Sequence, residues 1–165
     1  EVATKYPGLI QKFGGHAMAA GLTLNPNCFE AFQAALTDVA SERIAKEHLT
    51  ALIYTDGELA PTELSMEVAQ VIQQAGPWGQ AFPEPVFEGR FQLVQQRLLA
   101  DKHLKMVLQA ADGKLLDAIW FNVDVKAWPD PQVRWVHMAY QLDINEFRDQ
   151  QNLQCLVRHL IKISD

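Results

Sequence analysis

Cysteine and long apolar runs are both scarce in this sequence. Its 165 residues include only two cysteines, Cys28 and Cys155, and neither has the spacing of a metal-binding or redox pair. No stretch approaches the roughly 18 consecutive apolar residues of a transmembrane helix. Residues 1–5 contain neither a Met nor the apolar core of a signal peptide. The sequence therefore reads as a piece of a longer protein, and we expect a cytoplasmic setting in which thiols stay reduced.

An excess of positive charge is also lacking, which excludes a protein that holds nucleic acid by a broad basic field. The net charge is −6: residues 1–85 carry four basic and ten acidic side chains, whereas residues 86–165 carry ten of each. With 48% hydrophobic and 21% charged residues, the composition is typical of a globular protein rather than a disordered one. Any contact with nucleic acid must therefore be local.

The first half of the sequence has the pattern of a mixed α and β subdomain. A short helix is predicted around residues 17–20, followed by a strand. Apolar residues then recur at helical spacing over residues 29–47, which predicts an amphipathic helix. Residues 49–54 are a strand candidate. A further helix is predicted to begin at Pro61, because a proline at a helix start loses no hydrogen bond.

The second half changes to short strand-like runs. These runs cover residues 86–100, 103–110, 115–123, 133–142 and 153–163. Asp112-Gly113 is a hairpin signal between the second and third runs, and Trp128-Pro129-Asp130-Pro131 breaks the chain before the fourth. Five strands in about 80 residues fit a small closed barrel, for which we expect the oligonucleotide-binding (OB) fold with antiparallel strands.

The predicted fold class is therefore α+β, with the chain divided into three parts. Residues 1–75 form an α/β subdomain, residues 76–85 form an interdomain loop rich in Pro and Gly, and residues 86–165 form the OB-like barrel. Trp78 and Phe82 in the loop are predicted to pack the two domains together. A position facing a bound DNA strand is the alternative for these two rings.

The sharpest local feature is the run Phe13-Gly14-Gly15-His16-Ala17-Met18-Ala19-Ala20-Gly21. Paired glycines let the backbone approach a ligand closely, and a following His can donate to a phosphate oxygen. Lys12 adds a positive charge beside it. From the residues alone, a phosphate site and a Gly-Gly turn with a partly buried His fit the pattern about equally well. The run is neither a Walker loop, because no GK[ST] follows, nor a dinucleotide fingerprint.

This run resembles the GGHxxAAG signature of the DHH-associated domain in DHH-family phosphoesterases. Further along, residues 76–89, GPWGQAFPEPVFEG, are similar to the GPFGxGNPEPxF loop of the RecJ family. Trp78 replaces the Phe of that loop, and Ala81-Phe82 replaces its Gly-Asn. Residues 103–106, 118–122 and 140–147 also resemble barrel strands of RecJ. The sequence is thus similar to the C-terminal region of RecJ, a family of single-strand-specific DNA exonucleases.

The resemblance implies a metal-dependent hydrolase that digests single-stranded DNA from the 5′ end in recombination and repair. It implies that Gly14, Gly15 and His16 bind substrate, and that His16 assists catalysis electrostatically. Two divalent ions, Mn²⁺ or Mg²⁺, are expected in a separate N-terminal DHH domain, whose Asp-His-His triplet this sequence lacks. No cofactor is expected within the sequence, and the chain alone is expected to bind DNA without cutting it.

Basic and aromatic side chains of the barrel are candidate contacts to single-stranded DNA, because OB folds stack bases on exposed aromatics beside cations. The candidates are Arg90, His103, Lys105, Trp120 and Arg148. His103 and Lys105 share one strand face. Trp120 and the adjacent Phe121 must point to opposite faces of a regular strand, and the pattern leaves open which of them is exposed.

Two other functions remain open. One is a non-catalytic interaction module that docks the single-strand-binding protein or another repair partner; a membrane partner is not expected. The other is part of a DHH phosphodiesterase that acts on short oligonucleotides, which an OB-like second half disfavours. The dependence of DNA affinity on salt separates a DNA-binding module from a protein-docking one.

Overall fold

The structure is a computed structural model that describes residues 1–16 and 18–163, with the side chains of residues 46 and 47 excepted. The chain divides into two units, Glu1–Leu52 and Ile53–Asp165. Ala17, which belongs to the predicted short helix and to the Gly-Gly-His run, lies outside the described residues. Among the described residues, none of the helices has both the length and the apolar character that a membrane span needs.

The first unit combines a β-hairpin with one long helix. Its elements are α1 (Val2–Lys5), β1 (Lys12–His16), β2 (Ala19–Thr23), a 3₁₀ turn (Pro26–Cys28), α2 (Phe29–Arg43) and a second 3₁₀ turn (Lys46–Leu49). The amphipathic helix predicted over residues 29–47 is thus present but ends at Arg43. The strand predicted over residues 49–54 is wrong, since residues 51–57 form no regular element.

The helix predicted around residues 17–20 is also wrong, because Ala19 and Ala20 belong to β2. Alanine favours helices, but here close strand pairing outweighs that local preference. Gly15 lies directly opposite Ala20, and a Cβ on Gly15 would stand 2.6 Å from the carbonyl oxygen of Ala19. The small residues of the run therefore allow two strands to approach each other, rather than forming a helix.

The two helices of this unit are joined by Lys5. Its Nζ lies 2.8 Å from Asp38 Oδ2 and 2.6 Å from Glu42 Oε1, so α1 is tied to the exposed side of α2. The ammonium group and the Tyr6 hydroxyl both donate to Asp38, and these bonds lower the pKa of its carboxyl group. Because these groups are exposed, solvent weakens the attraction, and the pairs orient α1 more than they stabilise it.

The second unit contains the remaining helix and the five long strands. Its elements are a 3₁₀ turn (Pro61–Glu63), α3 (Met66–Ala75), β3 (Phe87–Leu99), β4 (His103–Gln109), β5 (Leu115–Trp120), β6 (Trp135–Phe147) and β7 (Gln150–Ile163). α3 begins at Met66 rather than at Pro61 because Ser65 caps it: the Ser65 Oγ accepts the backbone N–H of Val68 at 3.3 Å. The five strand-like runs of the sequence are confirmed as strands.

The five strands close into a barrel in the order β3-β4-β5-β7-β6. The expectation of an all-antiparallel barrel is wrong at one seam. β5 and β7 pair in parallel, through residues 117–119 and 154–156, while the other four seams are antiparallel. An odd number of strands requires such a pair, because strand directions cannot alternate all the way around a closed ring. The fold is therefore α+β with a mixed barrel.

Alternate residues of the strands fill the barrel. On β4 the inward residues are Leu104, Met106 and Leu108, and none of them is more than 1% exposed. The same core cluster includes Trp128, from the segment between β5 and β6, and residues that precede the barrel: Leu64, Ala69 and Ile72. The barrel is thus a packed core, and its outward side chains are the ones available for ligands.

Residues 53–75 therefore belong with the barrel. The division between the units falls after Leu52, whereas the sequence placed the domain boundary after residue 75. The difference arises because α3 precedes the first barrel strand in the chain, although Leu64, Ala69 and Ile72 are buried in the barrel's own core. The loop at residues 76–85 consequently lies inside the second unit and does not link the two units.

Candidate nucleic-acid interface

The Gly-Gly-His residues lie on the hairpin of the first unit. Because side chains alternate along a strand, Lys12, Gly14 and His16 share one face of β1, whereas Phe13 and Gly15 share the other. Lys12 and His16 are both exposed, and along an extended strand about 13 Å separates their Cα atoms. Neither side chain forms a hydrogen bond or an ion pair within the part of the chain that the structure describes. One face of the hairpin is therefore basic.

No side chain stands between Lys12 and His16 on this face. Gly14 lies opposite Gly21, and a Cβ built on either glycine would meet nothing within 4 Å. Packing among the described residues therefore does not require these two glycines, in contrast to Gly15. Their effect is to leave the main chain uncovered between two basic groups, so that a phosphate can come close to the backbone.

The predicted pair His103 and Lys105 faces outward on β4, but the two side chains differ in availability. Lys105 Nζ lies 2.9 Å from Asp117 Oδ2 on β5, and the Lys105 side chain is only 20% exposed. Its charge is thus compensated within the barrel. His103 Nδ1 accepts the backbone N–H of Asn122 at 3.1 Å, and its ring meets the Phe121 ring edge-on, with centroids 4.9 Å apart.

Trp120 and Phe121 divide between the interior and the surface. The half-buried Trp120 ring packs against the core cluster, 6.2 Å from the Trp128 ring and 6.5 Å from the His159 ring. Phe121 is exposed. The structure therefore places the predicted contact Trp120 among packing residues, and Phe121 is the member of the pair whose ring is open to a ligand.

Arg90 faces outward on β3, at the seam with β6. Its guanidinium lies 4.6 Å from the centroid of the Trp135 ring, within the range of a cation–π contact. Within the described residues Arg90 forms no ion pair, so its N–H groups remain available. A groove of about 340 Å³ lies beside it, with Glu58 and Phe91 among its walls. Arg90 and Trp135 together form a cation stacked on a half-exposed aromatic ring.

A second polar group lies on the same outer face. His137, directly opposite Arg90 in register, has its Nε2 3.0 Å from Glu88 Oε2. The Thr55 hydroxyl donates to Glu88 Oε1 at 3.0 Å. These two bonds, the one from His137 being the stronger influence, lower the pKa of the Glu88 carboxyl group. Glu88 is thus held by its neighbours.

Arg148 lies at the turn between β6 and β7. It has a φ of 54°, in the left-handed region, and its guanidinium is 5.1 Å from the centroid of the Phe147 ring. Phe147 is exposed. The tip of this hairpin therefore presents another aromatic ring with a cation beside it.

Of the predicted site residues, those of the first unit lie together on its hairpin: Lys12, Gly14, Gly15 and His16. Those of the second unit lie at different places on that unit: Arg90 on the β3–β6 face, His103 and Lys105 on the β4–β5 face, Trp120 among the packing residues, and Arg148 at the β6–β7 turn. The sequence left open whether Phe121 or Trp120 is the exposed ring, and it did not single out Trp135 and Phe147 as aromatics beside cations. The inward–outward alternation of each strand is the signal that identifies them.

Among the described residues, no group of three or more His, Cys, Asp or Glu side chains is arranged to hold a metal ion. Cys28 and Cys155 are both free thiols. Burial in the barrel raises the pKa of the Cys155 thiol to about 12, which keeps it protonated and unreactive. The exposed cations and aromatic rings described above are the groups that could contact phosphates and bases.

The order of the strands defines the class of the second unit. A closed barrel of five strands, with its third and fifth strands joined in parallel, is an OB fold. The chain belongs to the RecJ OB domain family, whose model matches residues 55–159. The matched region begins close to Ile53, where the second unit begins, so it includes α3 as well as the barrel.

Individual relatives agree with this assignment. The chain is 50% identical over 158 residues to the single-stranded-DNA-specific exonuclease RecJ of Dickeya dadantii, and 49% identical over 158 residues to that of Escherichia coli K12. Each match covers 95% of this chain and 27% of the relative. A crystal structure of RecJ with Mg²⁺ from Thermus thermophilus superposes with a TM-score of 0.70 at 20% identity, covering 99% of this chain and 25% of that one. The chain thus spans about a quarter of the length of these relatives.

Proposed function

We propose that this chain is the DNA-holding part of a single-strand-specific exonuclease that works in the 5′-to-3′ direction in DNA recombination and repair. The names of its relatives support this, because RecJ proteins matching 95% of the chain are described as single-stranded-DNA-specific exonucleases. Hydrolysis would use Mn²⁺ or Mg²⁺ held by residues outside this chain; the related Thermus structures contain these ions. The proposed setting is the cytoplasm.

The observation that carries the proposal is the uncovered backbone between Lys12 and His16. A phosphate lying against Gly14 would have an ammonium group on one side and an imidazole on the other, with no Cβ to hold it away. His16 is the last residue of β1. In this proposal its ring would contact the phosphate that reacts, and Lys12 would hold a neighbouring phosphate. A donor placed where negative charge develops lowers the barrier to the reaction.

The barrel would supply contacts that do not depend on base sequence. Trp135 with Arg90, and Phe121 with His103, each pair an aromatic ring with a basic group. OB folds hold single strands with this combination, at about 1–3 kcal/mol per stacked base. Lys105 contributes less because Asp117 already compensates its charge.

The first test uses the intact exonuclease that contains this chain. His16→Ala is expected to lower the rate of single-stranded DNA digestion on the order of 100-fold, because it removes a donor to the developing charge. His48→Ala is the matched control, since His48 is exposed in the same unit and belongs to the 3₁₀ turn Lys46–Leu49 rather than to the hairpin strands, and it should leave the rate unchanged. Equal rates for the two variants would contradict the role of His16.

A second measurement concerns the chain alone, which is expected to bind single-stranded DNA without digesting it. The slope of log affinity against log salt should be about −0.7 for each phosphate contacted. A slope near zero would instead favour a module that docks a protein, such as the single-strand-binding protein. Metal-dependent digestion of DNA by the pure chain would show that the catalytic metals are held within it, against the proposal.

A further inference from the structure

The loop between α3 and β3 is fixed to the barrel. The Trp78 indole N–H donates to the backbone carbonyl of Ile72 at 3.2 Å, and the Trp78 ring packs against the core cluster. Gly79 and Phe82 exchange two backbone hydrogen bonds, of 2.8 and 3.1 Å, which close a tight turn. These bonds hold the Phe82 ring in a defined position.

Phe82 has one supported face and one free face. Its ring lies 4.8 Å from the Trp78 ring, centroid to centroid, with 33° between the planes, and Phe82 is 59% exposed. Within the loop at residues 76–85, Phe82 is the exposed large apolar side chain. One ring is far smaller than the apolar patch of several hundred Å² that typically docks a protein. Its size suits one nucleobase.

A chain of hydrogen bonds connects this loop to a cation. Gln141 donates from Nε2 to Glu84 Oε2 at 2.9 Å, and Arg158 donates from Nε to Gln141 Oε1 at 2.8 Å. Gln141 is buried, so the link is held rigidly. Within the described chain, the terminal guanidinium nitrogens of Arg158 form no hydrogen bond or ion pair. An oriented cation is therefore linked to Glu84, two residues along the loop from Phe82.

We propose that Phe82, supported by Trp78, is a stacking platform for one base of single-stranded DNA, and that Arg158 contacts a neighbouring phosphate. The inference rests on the proposed function and develops the alternative that the sequence left open for Trp78 and Phe82, a position facing a bound DNA strand. A preformed ring loses little conformational freedom on binding, and every base can stack on it.

The test compares two oligonucleotides of equal length, one with normal bases and one with an abasic backbone, each titrated into the chain by fluorescence anisotropy. Phe82→Leu is expected to weaken binding of the normal oligonucleotide about 5- to 30-fold, because it removes one base stack. It should leave the affinity for the abasic oligonucleotide unchanged. Phe82→Trp should bind the normal oligonucleotide at least as tightly as the wild type. Tyr54→Leu, which alters another exposed aromatic of the second unit, should bind like the wild type.

Arg158→Gln tests the phosphate contact separately. It should weaken binding of both oligonucleotides and reduce the size of the salt slope by about 0.7, the value for one phosphate of a single strand. If the wild-type chain binds normal DNA and Phe82→Leu binds it equally well, the platform is overturned and the proposed function stands. If the wild-type chain binds neither oligonucleotide, the proposed function fails and the platform fails with it. Equal weakening of both oligonucleotides by Phe82→Leu also contradicts stacking.

Discussion

One buried hydroxyl weakens the core of the barrel. Tyr140 is fully buried, with its ring 5.6 Å from the Phe91 ring in an edge-on contact, and its Oη has no hydrogen-bond partner among the described residues. Burial raises the pKa of this phenol. We expect Tyr140→Phe to preserve the packing, remove the cost of an unsatisfied polar group and raise the free energy of unfolding by about 1 kcal/mol.

Urea unfolding followed by circular dichroism measures this change. Tyr54→Phe is the matched control, because Tyr54 is exposed in the same unit and its hydroxyl stays in water in both states. It should leave the free energy of unfolding within about 0.5 kcal/mol of the wild type. A loss of stability in Tyr140→Phe would mean that the hydroxyl is satisfied inside the barrel.

The sequence named candidate site residues but did not show what surrounds them. Lys12 and His16 are exposed on one face of β1, and the phosphate interpretation of the Gly-Gly-His run stays a prediction. The neutralisation of Lys105 by Asp117 depends on two strands lying side by side, which no local pattern shows. The packing position of Trp120 could have been predicted from the alternation of β5. Asp117 cannot face a barrel core, so Leu116 and every second residue after it, including Trp120, must face the core.

At the scale of elements, the β3–β4 turn contains a residue in an unfavourable conformation. Ala100 has a φ of 50°, in the left-handed region, where a Cβ costs about 1–2 kcal/mol. We expect Ala100→Gly to raise the free energy of unfolding by about 0.5–1 kcal/mol. The backbone strain that glycine relieves in the folded state exceeds the conformational entropy that glycine adds to the unfolded chain. Thermal unfolding of the variant measures the difference.

Ala111→Gly is the control for this substitution. Ala111 lies in the neighbouring β4–β5 loop, where Gly113 already occupies the left-handed position with a φ of 90° and Ala111 does not. Glycine at residue 111 should therefore lower stability by about 0.5 kcal/mol, through chain entropy alone. If both glycine substitutions changed stability in the same direction, backbone conformation would not explain the effect at Ala100.

The strands were predictable and the hairpin of the first unit was not. Short strand-like runs bounded by turn signals identified all five barrel strands, and their odd number already required one parallel seam. The error around residues 17–20 has a different cause. Ala19 and Ala20 favour a helix locally, but their partners His16 and Gly15 lie across a strand pair, and pairing between segments outweighs local propensity.

At the scale of the whole chain, the two units differ in how much core they contain. In the described part of the first unit, the buried apolar residues are Val2 and Ala35, whereas the core cluster lies entirely within the second unit. A segment that buries so little apolar surface gains little hydrophobic stabilisation to offset the entropy of ordering its chain. The second unit has the core that independent folding requires, and α3 packs against β6 and β7 as part of it.

Truncation tests this division. A fragment of residues 53–165 is expected to unfold cooperatively with nearly the same midpoint as the whole chain, as measured by circular dichroism. A fragment of residues 76–165 follows the boundary suggested by sequence and loses Leu64, Ala69 and Ile72 from the core. Removing buried side chains costs about 2–5 kcal/mol each, so this shorter fragment should be unfolded or far less stable. Equal stability of the two fragments would show that α3 does not belong to the barrel, because its apolar face would then contribute nothing to the core.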